Sequence, residues 1–444
     1  MNNIKMQNNN ILILLFFSLY MVLPSYFAIE ITESLPLLTA SRMVLIICFL
    51  TVIIKQKGKL SIPKLTKIDV NIKIYFILIF IVNIIHITDS KSDSLNHIIT
   101  IFIEQISILW IVMILINTRQ KFEEAVEILM YTSGVVAIIS IVGFIFNTNI
   151  FYVLKTVSRV MTQAGITDIG YRNGLLRIEA GFGHPVYYGM YCSVMIFLSI
   201  YIYNYKKRKL SAAVCILLNT IALLLTNSRG VMLAVVATFA ISFFVNGWEE
   251  RKKYLRIICI SIFFVIIVCV CSFSIRKYMF NIIQSFFVYF GLSNNVLNNY
   301  GANTNYTTDR LMQFTGIHWT LKHSPFFGFG YGAQANGVIE YYNNGRWFKT
   351  STFDVGFVEL FCCYGIMGVV ACIFLIKGLL SNIRYIKREA YWILFRNIFL
   401  VYFLCLFSVV NIDKIFWVLF GLLLAYSRII NRERKSGLYD DKKA

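Results

Sequence analysis

Five arginines, Arg172, Arg177, Arg229, Arg310 and Arg346, fall in polar stretches between long apolar runs. A guanidinium presents five donors in a planar fork, which suits phosphate or diphosphate. Arg229 is the sharpest case. It stands alone in "LLLTNSRGVMLAVVA", residues 223–237, in a turn too short to let the side chain leave a membrane interface. Two carboxylates and a histidine complete the set. Asp354, in "TFDVGFVELFCCYGIMG" (352–368), sits at the N-terminal mouth of an apolar run, with Glu359 about one and a half turns deeper. A carboxylate facing several arginines could accept a proton from a hydroxyl. His184 precedes Pro185 in "YRNGLLRIEAGFGHPVYYGMYC" (171–192), where Pro suits a first helical turn and places the ring at the positive dipole end. Each residue also has a plain reading: Asp354 as an N-cap, His184 as a cap or interface residue, the arginines as surface or headgroup contacts.

The elements that must position these groups follow from hydropathy. Of 444 residues, 58% are hydrophobic and 14% charged, against roughly 25% charged in soluble chains. The charges clump between apolar runs near 11–28, 36–54, 72–87, 98–117, 126–147, 185–204, 210–226, 230–247, 257–275, 354–378, 393–410 and 414–429. Runs of this length read as membrane helices, about twelve of them. No barrel-like alternation is visible, so the fold class is an all-α polytopic membrane protein, 1–444 forming one integral domain. The first run is longer than a signal-peptide h-region and no small-x-small site follows it, so it is expected to stay as an anchor.

The formal net charge of +20 follows the positive-inside rule and does not call for a nucleic-acid partner. Lys and Arg concentrate in alternate loops, at 55–67, 118–121, 206–209, 249–253, 384–388 and the tail 427–444. The intervening segments 29–34 and 88–94 are acidic or mixed. Both termini are therefore expected in the cytoplasm. The loops 148–184 and 276–353, and the "TNSRG" turn, are expected outside. The five arginines oppose this trend, which argues for a role beyond topology.

In the large loop, "DRLMQFTGIHWTLKHSPFFGFGYG" (309–332) sets Arg310, Phe314, Ile317 and Leu321 at helical spacing, predicting an amphipathic surface helix that ends at Pro325. Its Gly-rich end is no dinucleotide fingerprint, because no strand precedes it. Trp319, Tyr331, Tyr341, Tyr342 and Trp347 are suited to stacking on sugar rings or to anchoring at the interface. Arg42, His86 and Glu104 fall inside apolar runs, and Arg42 is a natural partner for Glu104. The ten cysteines form no CxxC pair and read as packing residues. There is no metal cluster, DxD pair, P-loop or nucleophile elbow, which argues against a cytoplasmic nucleotide-sugar enzyme.

"RIEAGFGHPVYYG", "TNSRG" and the run from "DRLMQFTGIHWTLKHSPFFGFGYG" to "TFDVGFVELFCCYGIMG", in this order, resemble the bacterial O-antigen polymerase and O-antigen ligase family over roughly 170–370. The resemblance implies an inverting, metal-independent glycosyltransferase without cofactor, in a fold similar to the C-type membrane glycosyltransferases. It implies a polyprenyl-diphosphate-linked donor and a place in the bacterial cytoplasmic membrane. The job would be polymerising undecaprenyl-diphosphate-linked repeat units into O-antigen, capsular or exopolysaccharide chains. A chain-length regulator and a flippase are the implied partners, beside the lipid-linked glycans and the bilayer. Ligases of the family carry a histidine where this chain has Asp354, which looks more like the polymerases; polymerases often follow it with Asn, and here Val355 stands instead. On this resemblance Arg177, Arg229 and Arg310, with Arg172, would hold the diphosphate. Asp354 would be the proton acceptor, with His184 or Glu359 as alternates. The rival readings are the ligase, which loads lipid A core; a lipid-linked sugar flippase, which should show two matching halves; and a non-catalytic scaffold.

Overall fold

The computed structural model describes residues 2–30, 37–55, 70–87, 91–157, 170–172, 175–206, 208–253, 312–333, 336–343, 345–349, 353–407 and 413–436, with isolated positions between 255 and 280. The expected span at 257–275 and Arg310 lie outside them. The described chain is mainly helical. Its helices are α1 (Asn2–Leu19), α2 (Ala40–Lys55), α3 (Val70–Ile85), α4 (Lys91–Ile101), α5 (Ser107–Leu115), α6 (Arg119–Ile145), α7 (Pro185–Tyr205), α8 (Lys209–Leu225), α9 (Arg229–Val245), α10 (Thr315–His323), α11 (Gly356–Tyr385), α12 (Tyr391–Cys405) and α13 (Lys414–Lys435). A π-turn, Phe102–Ile106, joins α4 to α5. Three two-stranded antiparallel pairs complete it: β1 (Ala28–Ile29) with β2 (Leu38–Thr39), β3 (Tyr171–Arg172) with β4 (Leu175–Leu176), and β5 (Glu340–Asn343) with β6 (Arg346–Lys349).

Five described helical stretches are long and apolar enough to cross a membrane, and five further apolar helices run 10–17 residues. Two of the long ones are central: the apolar windows of α7 and α13 are 83% and 89% buried, against 33–44% for the other three. The outer helices turn Ile54, Ile145, Val236 and Phe244 outward, each more than 60% exposed, the surface that lipid rather than water favours. Polar side chains tie helices together where no water competes. Asn219 Nδ2 of α8 donates to Ser133 Oγ of α6 at 3.0 Å, and Ser242 Oγ of α9 donates to Asn397 Oδ1 of α12 at 2.8 Å. The expected Arg42–Glu104 pair forms at 2.8 Å, but Arg42 is the third residue of α2, not mid-helix.

The two ends of the bundle differ in chemistry. At one end Arg119 bridges Glu389 and Glu433, joining the start of α6 to the α11–α12 connection and the end of α13. Lys206–Glu123 and Arg208–Glu127 lie at the same end, between α7–α8 and α6. The opposite end gathers His184, the 226–229 turn, Asp354 and the start of α13.

α11 departs from expectation. Thirty residues at 1.5 Å each would extend about 45 Å, beyond the ~30 Å of a hydrocarbon core. The helix is broken at Gly365, whose φ is +60°, so 366–385 supplies one span, and 356–364 turns back onto the end of α12, where Gly356 N–H donates to the Leu406 carbonyl at 3.3 Å. The broken ladder is repaired from outside. Phe329 and Gly330 N–H donate to the Cys362 and Cys363 carbonyls at 3.0 and 2.9 Å; Ile366 and Met367 N–H donate to Pro325 and Phe326 at 2.9 and 3.0 Å. Irregular backbone at such depth is tolerated when another segment satisfies it. Close approach requires glycine on both sides: a Cβ on Gly328 would lie 2.6 Å from the Cys363 carbonyl carbon, and one on Gly365 2.6 Å from Gly328 N.

The segment 356–364, α10 and β5–β6 form a cap layer with its own apolar core: Ala333, Ile339, Phe353, Val355, Val358 and Cys362, with Ile317, Trp319 and Phe329 against it. α10 buries Gly316 and Thr320, whereas Phe314 and Leu321 are 44% and 47% exposed, so the expected apolar stripe is only partly the buried one. Gly365→Ala is expected to cost about 2 kcal/mol or more, from backbone strain and the Gly328 clash together. The thermal midpoint of the purified protein in detergent should fall by several degrees; an unchanged midpoint contradicts the stitched break.

Candidate functional site

The site end is built around the close of α8. Thr226 is the C-cap of α8, Asn227 takes a left-handed φ of +50°, and Arg229 opens α9. Asn tolerates that conformation through its short polar side chain. A helix end leaves carbonyls without intrahelical partners. Arg177 supplies donors: its Nε donates to the Thr226 carbonyl at 2.9 Å and its Nη2 to Ser228 Oγ at 3.2 Å. Its chain neighbour Ile178 donates its N–H to the Leu225 carbonyl at 3.2 Å. Arg177 is thus fastened to the turn whose next residue is Arg229, and both are half-buried. Two of the predicted arginines, 52 positions apart, are brought to one place by backbone chemistry that runs between them.

Behind Arg177 lies Glu179, buried and holding hydrogen bonds from Tyr152 Oη at 2.6 Å and Asn149 Nδ2 at 3.2 Å. Burial pushes its carboxyl above the ordinary range, while the two hydrogen bonds and the field of Arg177 pull it back. A small cavity is lined by Asn149, Tyr152, Arg177 and Glu179 among others. Arg172 has its backbone in β3, paired with Leu175. Its side chain lies outside the described residues.

His184 is exposed and is the N-cap of α7, its Nδ1 accepting the Val186 N–H at 3.2 Å. Nδ1 as acceptor places the neutral ring's proton on Nε2, which is then a donor. Asp354 does not cap α11. The cap position is Val355, without a side-chain bond, and Asp354 is exposed with its N–H donating to Gln313 Oε1 at 2.9 Å. The plain N-cap reading of Asp354 is therefore corrected. Glu359 is buried on segment 356–364, beside the cap core. Arg346 is exposed in β6. Among the described residues, no three His, Cys, Asp or Glu side chains converge as a metal site.

Several partners had no sequence signal. Gln313, which positions Asp354, and Ser228, which receives Arg177, are ordinary polar residues until the chain folds. His97 Nε2 and the Tyr364 hydroxyl share a hydrogen bond at 2.8 Å, and His97 stacks on Tyr331 at 3.8 Å, while His86 Nε2 sits 3.3 Å from the Phe327 carbonyl. These two histidines fix the loop that enters the break in α11. Asp413, at the edge of the last span, carries no sequence signal either. It caps α13 through Ile415 and Phe416 N–H and accepts the Tyr402 hydroxyl at 2.9 Å.

A family model described as O-antigen ligase matches residues 212–374 of the chain. No curated protein matches it. The matched segment contains the 226–230 turn, α10, the cap layer, Asp354 and Glu359; it leaves out Arg172, Arg177 and His184. Residues 212–374 are similar to the O-antigen ligase family, consistent with the O-antigen polymerase and ligase family. Its members are glycosyltransferase-like enzymes, and with the apolar helices this describes a multi-pass membrane protein.

The raised carboxyl of Glu179 gives a pH prediction. Its neutral form is favoured by folding, so the stability cost is absent at acid pH and grows as pH rises through the carboxyl range. Glu179→Gln keeps an acceptor for Tyr152 and removes the cost. Thermal midpoints should match wild type near pH 4 and equal or exceed it near pH 8; a deficit that widens with pH contradicts the buried-carboxylate account.

Proposed function

We propose that the chain polymerises oligosaccharide repeat units carried on a polyprenyl diphosphate, at the extracytoplasmic face of a bacterial cytoplasmic membrane. The observation that carries this reading is Arg177 fastened to the 226–228 turn beside Arg229. Two guanidinium groups held at one helix end offer a fixed, bidentate grip for a diphosphate. The donor's glycosidic bond to diphosphate is already activated, so no nucleotide is needed. As it breaks, negative charge grows on the leaving diphosphate, and the two arginines, with Arg310 and Arg172, stabilise it in a low-dielectric setting. Asp354, exposed at the mouth of α11, accepts the proton of the attacking sugar hydroxyl. His184 donates from Nε2 toward the same region, and buried Glu359 is the alternate base. Attack from the face opposite the leaving group inverts the anomeric centre.

The basic end, with Arg119, Lys206 and Arg208, is the end the positive-inside rule assigns to the cytoplasm, which supports an outward site and cytoplasmic termini. The ligase reading shares everything except the acceptor. Asp354 in place of the family's ligase histidine favours polymerisation.

Arg229→Ala should lower the rate about 10²–10³-fold with protein level unchanged, and Arg229→Lys should also fail because an ammonium cannot bind in bidentate fashion. The readout is laddering of a synthetic lipid-linked repeat unit by purified protein. Full laddering by Arg229→Ala would remove the arginine from the mechanism. Asp354→Asn and Asp354→Ala should both abolish laddering, and wild-type polymer in both would reduce Asp354 to a structural residue. In cells, loss of the chain should leave single repeat units on the final acceptor; long polymer left on the carrier would instead assign it as a ligase.

A further inference from the structure

The cap layer sorts the loop aromatics that the sequence offered as one group. Tyr331 is stacked on His97, and Tyr341 pairs with Phe348 on one face of the β5–β6 hairpin. Tyr342 and Trp347, opposite each other across the hairpin, belong to the other face, with ring centroids 5.4 Å apart and planes at 62°. Trp319 of α10 joins them, 5.3 Å from Trp347 at 48°. The three rings form a notched wall. Tyr342 and Trp347 are each 42% exposed, while Trp319 is rooted in the cap core. The Trp319 Nε1–H is buried and, among the described residues, meets no hydrogen-bond acceptor.

We propose that Trp319, Tyr342 and Trp347 form a subsite for pyranose rings of the glycan, adjoining the candidate base; this rests on the glycan-transfer reading above. Three features select a sugar. α10 links the wall to the reaction centre, since Tyr342 N–H donates to Thr315 Oγ1 at 2.7 Å and, two residues earlier, Gln313 holds Asp354. The wall and the backbone of Asp354 are thus both held by one short segment, 313–315. The hairpin also holds the wall at the surface of the cap layer, where every residue of β6 is exposed and a water-soluble glycan can reach it. Finally, Tyr342 and Trp347, tilted and each 42% exposed, present ring faces on which the C–H faces of a pyranose stack, while Trp319, packed against His323 at 4.1 Å, backs them.

The test uses full-length protein in nanodiscs and, as probe, the repeat-unit oligosaccharide released by mild acid from the lipid carrier of the same cells. Saturation-transfer NMR should detect binding to wild type, weakened about two- to tenfold in Trp347→Ala and in Tyr342→Ala and partly retained in Trp347→Phe. Wild type that extends lipid-linked repeat units yet binds free oligosaccharide no better than Trp347→Ala overturns the wall and leaves the transfer reading standing. Binding through the wall by protein that transfers nothing overturns the transfer reading alone. Brominated lipid that quenches wild type more than Trp347→Phe would place the ring in the bilayer and also overturn the proposal.

Discussion

A helix that ends or breaks in apolar surroundings leaves carbonyl and N–H groups that water cannot reach, and each must find a partner in the protein. This protein meets that constraint twice at one end of the bundle, and both solutions place chemistry. At the end of α8 the partner is a side chain, Arg177, which is thereby fixed beside Arg229. In the middle of α11 the partner is a loop, 325–330, which is thereby fixed beneath the cap layer. The positions of the guanidinium groups, of Asp354 and of the aromatic wall all descend from these two repairs.

The two repairs differ in rigidity. Arg177 is held by two hydrogen bonds to one turn, and Glu179 behind it is held by Tyr152 and Asn149. That layering keeps the guanidinium's direction while leaving it half-buried. The α11 break is held by four backbone bonds and by glycines packed against carbonyls, with His86 and His97 closing over the loop. Neither arrangement needs a long rigid domain outside the bundle. The cap layer is small, and its own core draws on α11 as much as on the loop.

Much of this was legible in the sequence. Long apolar runs gave most helices within a few residues, because the 1.5 Å rise and the bilayer thickness leave little freedom. The "TNSRG" turn and His184–Pro185 declared themselves through capping chemistry, and Arg42–Glu104 through the cost of an unpaired charge. The broken α11 did not show, because "CCYGIMG" is as apolar as an intact span and only the partner loop makes the break stable. The fastening of Arg177 did not show either: its acceptor is a backbone carbonyl, which carries no residue signature. Asp354 looked like a cap by position, but the helix starts two residues later and Gln313 takes its N–H. For the aromatics, residue type offered five equivalents, and only the hairpin register separated Tyr342 and Trp347 from Tyr341.

The central claim is that two guanidinium groups at the end of α8 hold a lipid diphosphate. The most direct measurement is the phosphorus-31 resonance of a short-chain polyprenyl diphosphate titrated with purified protein, wild type against an Arg177→Ala, Arg229→Ala double variant. The account predicts broadening and saturation with wild type, little response with the double variant at a temperature where it is still folded, its midpoint lowered because the α8 carbonyl loses its donor, and weaker binding of the matching monophosphate. Equal affinity of wild type and double variant for the diphosphate would contradict it.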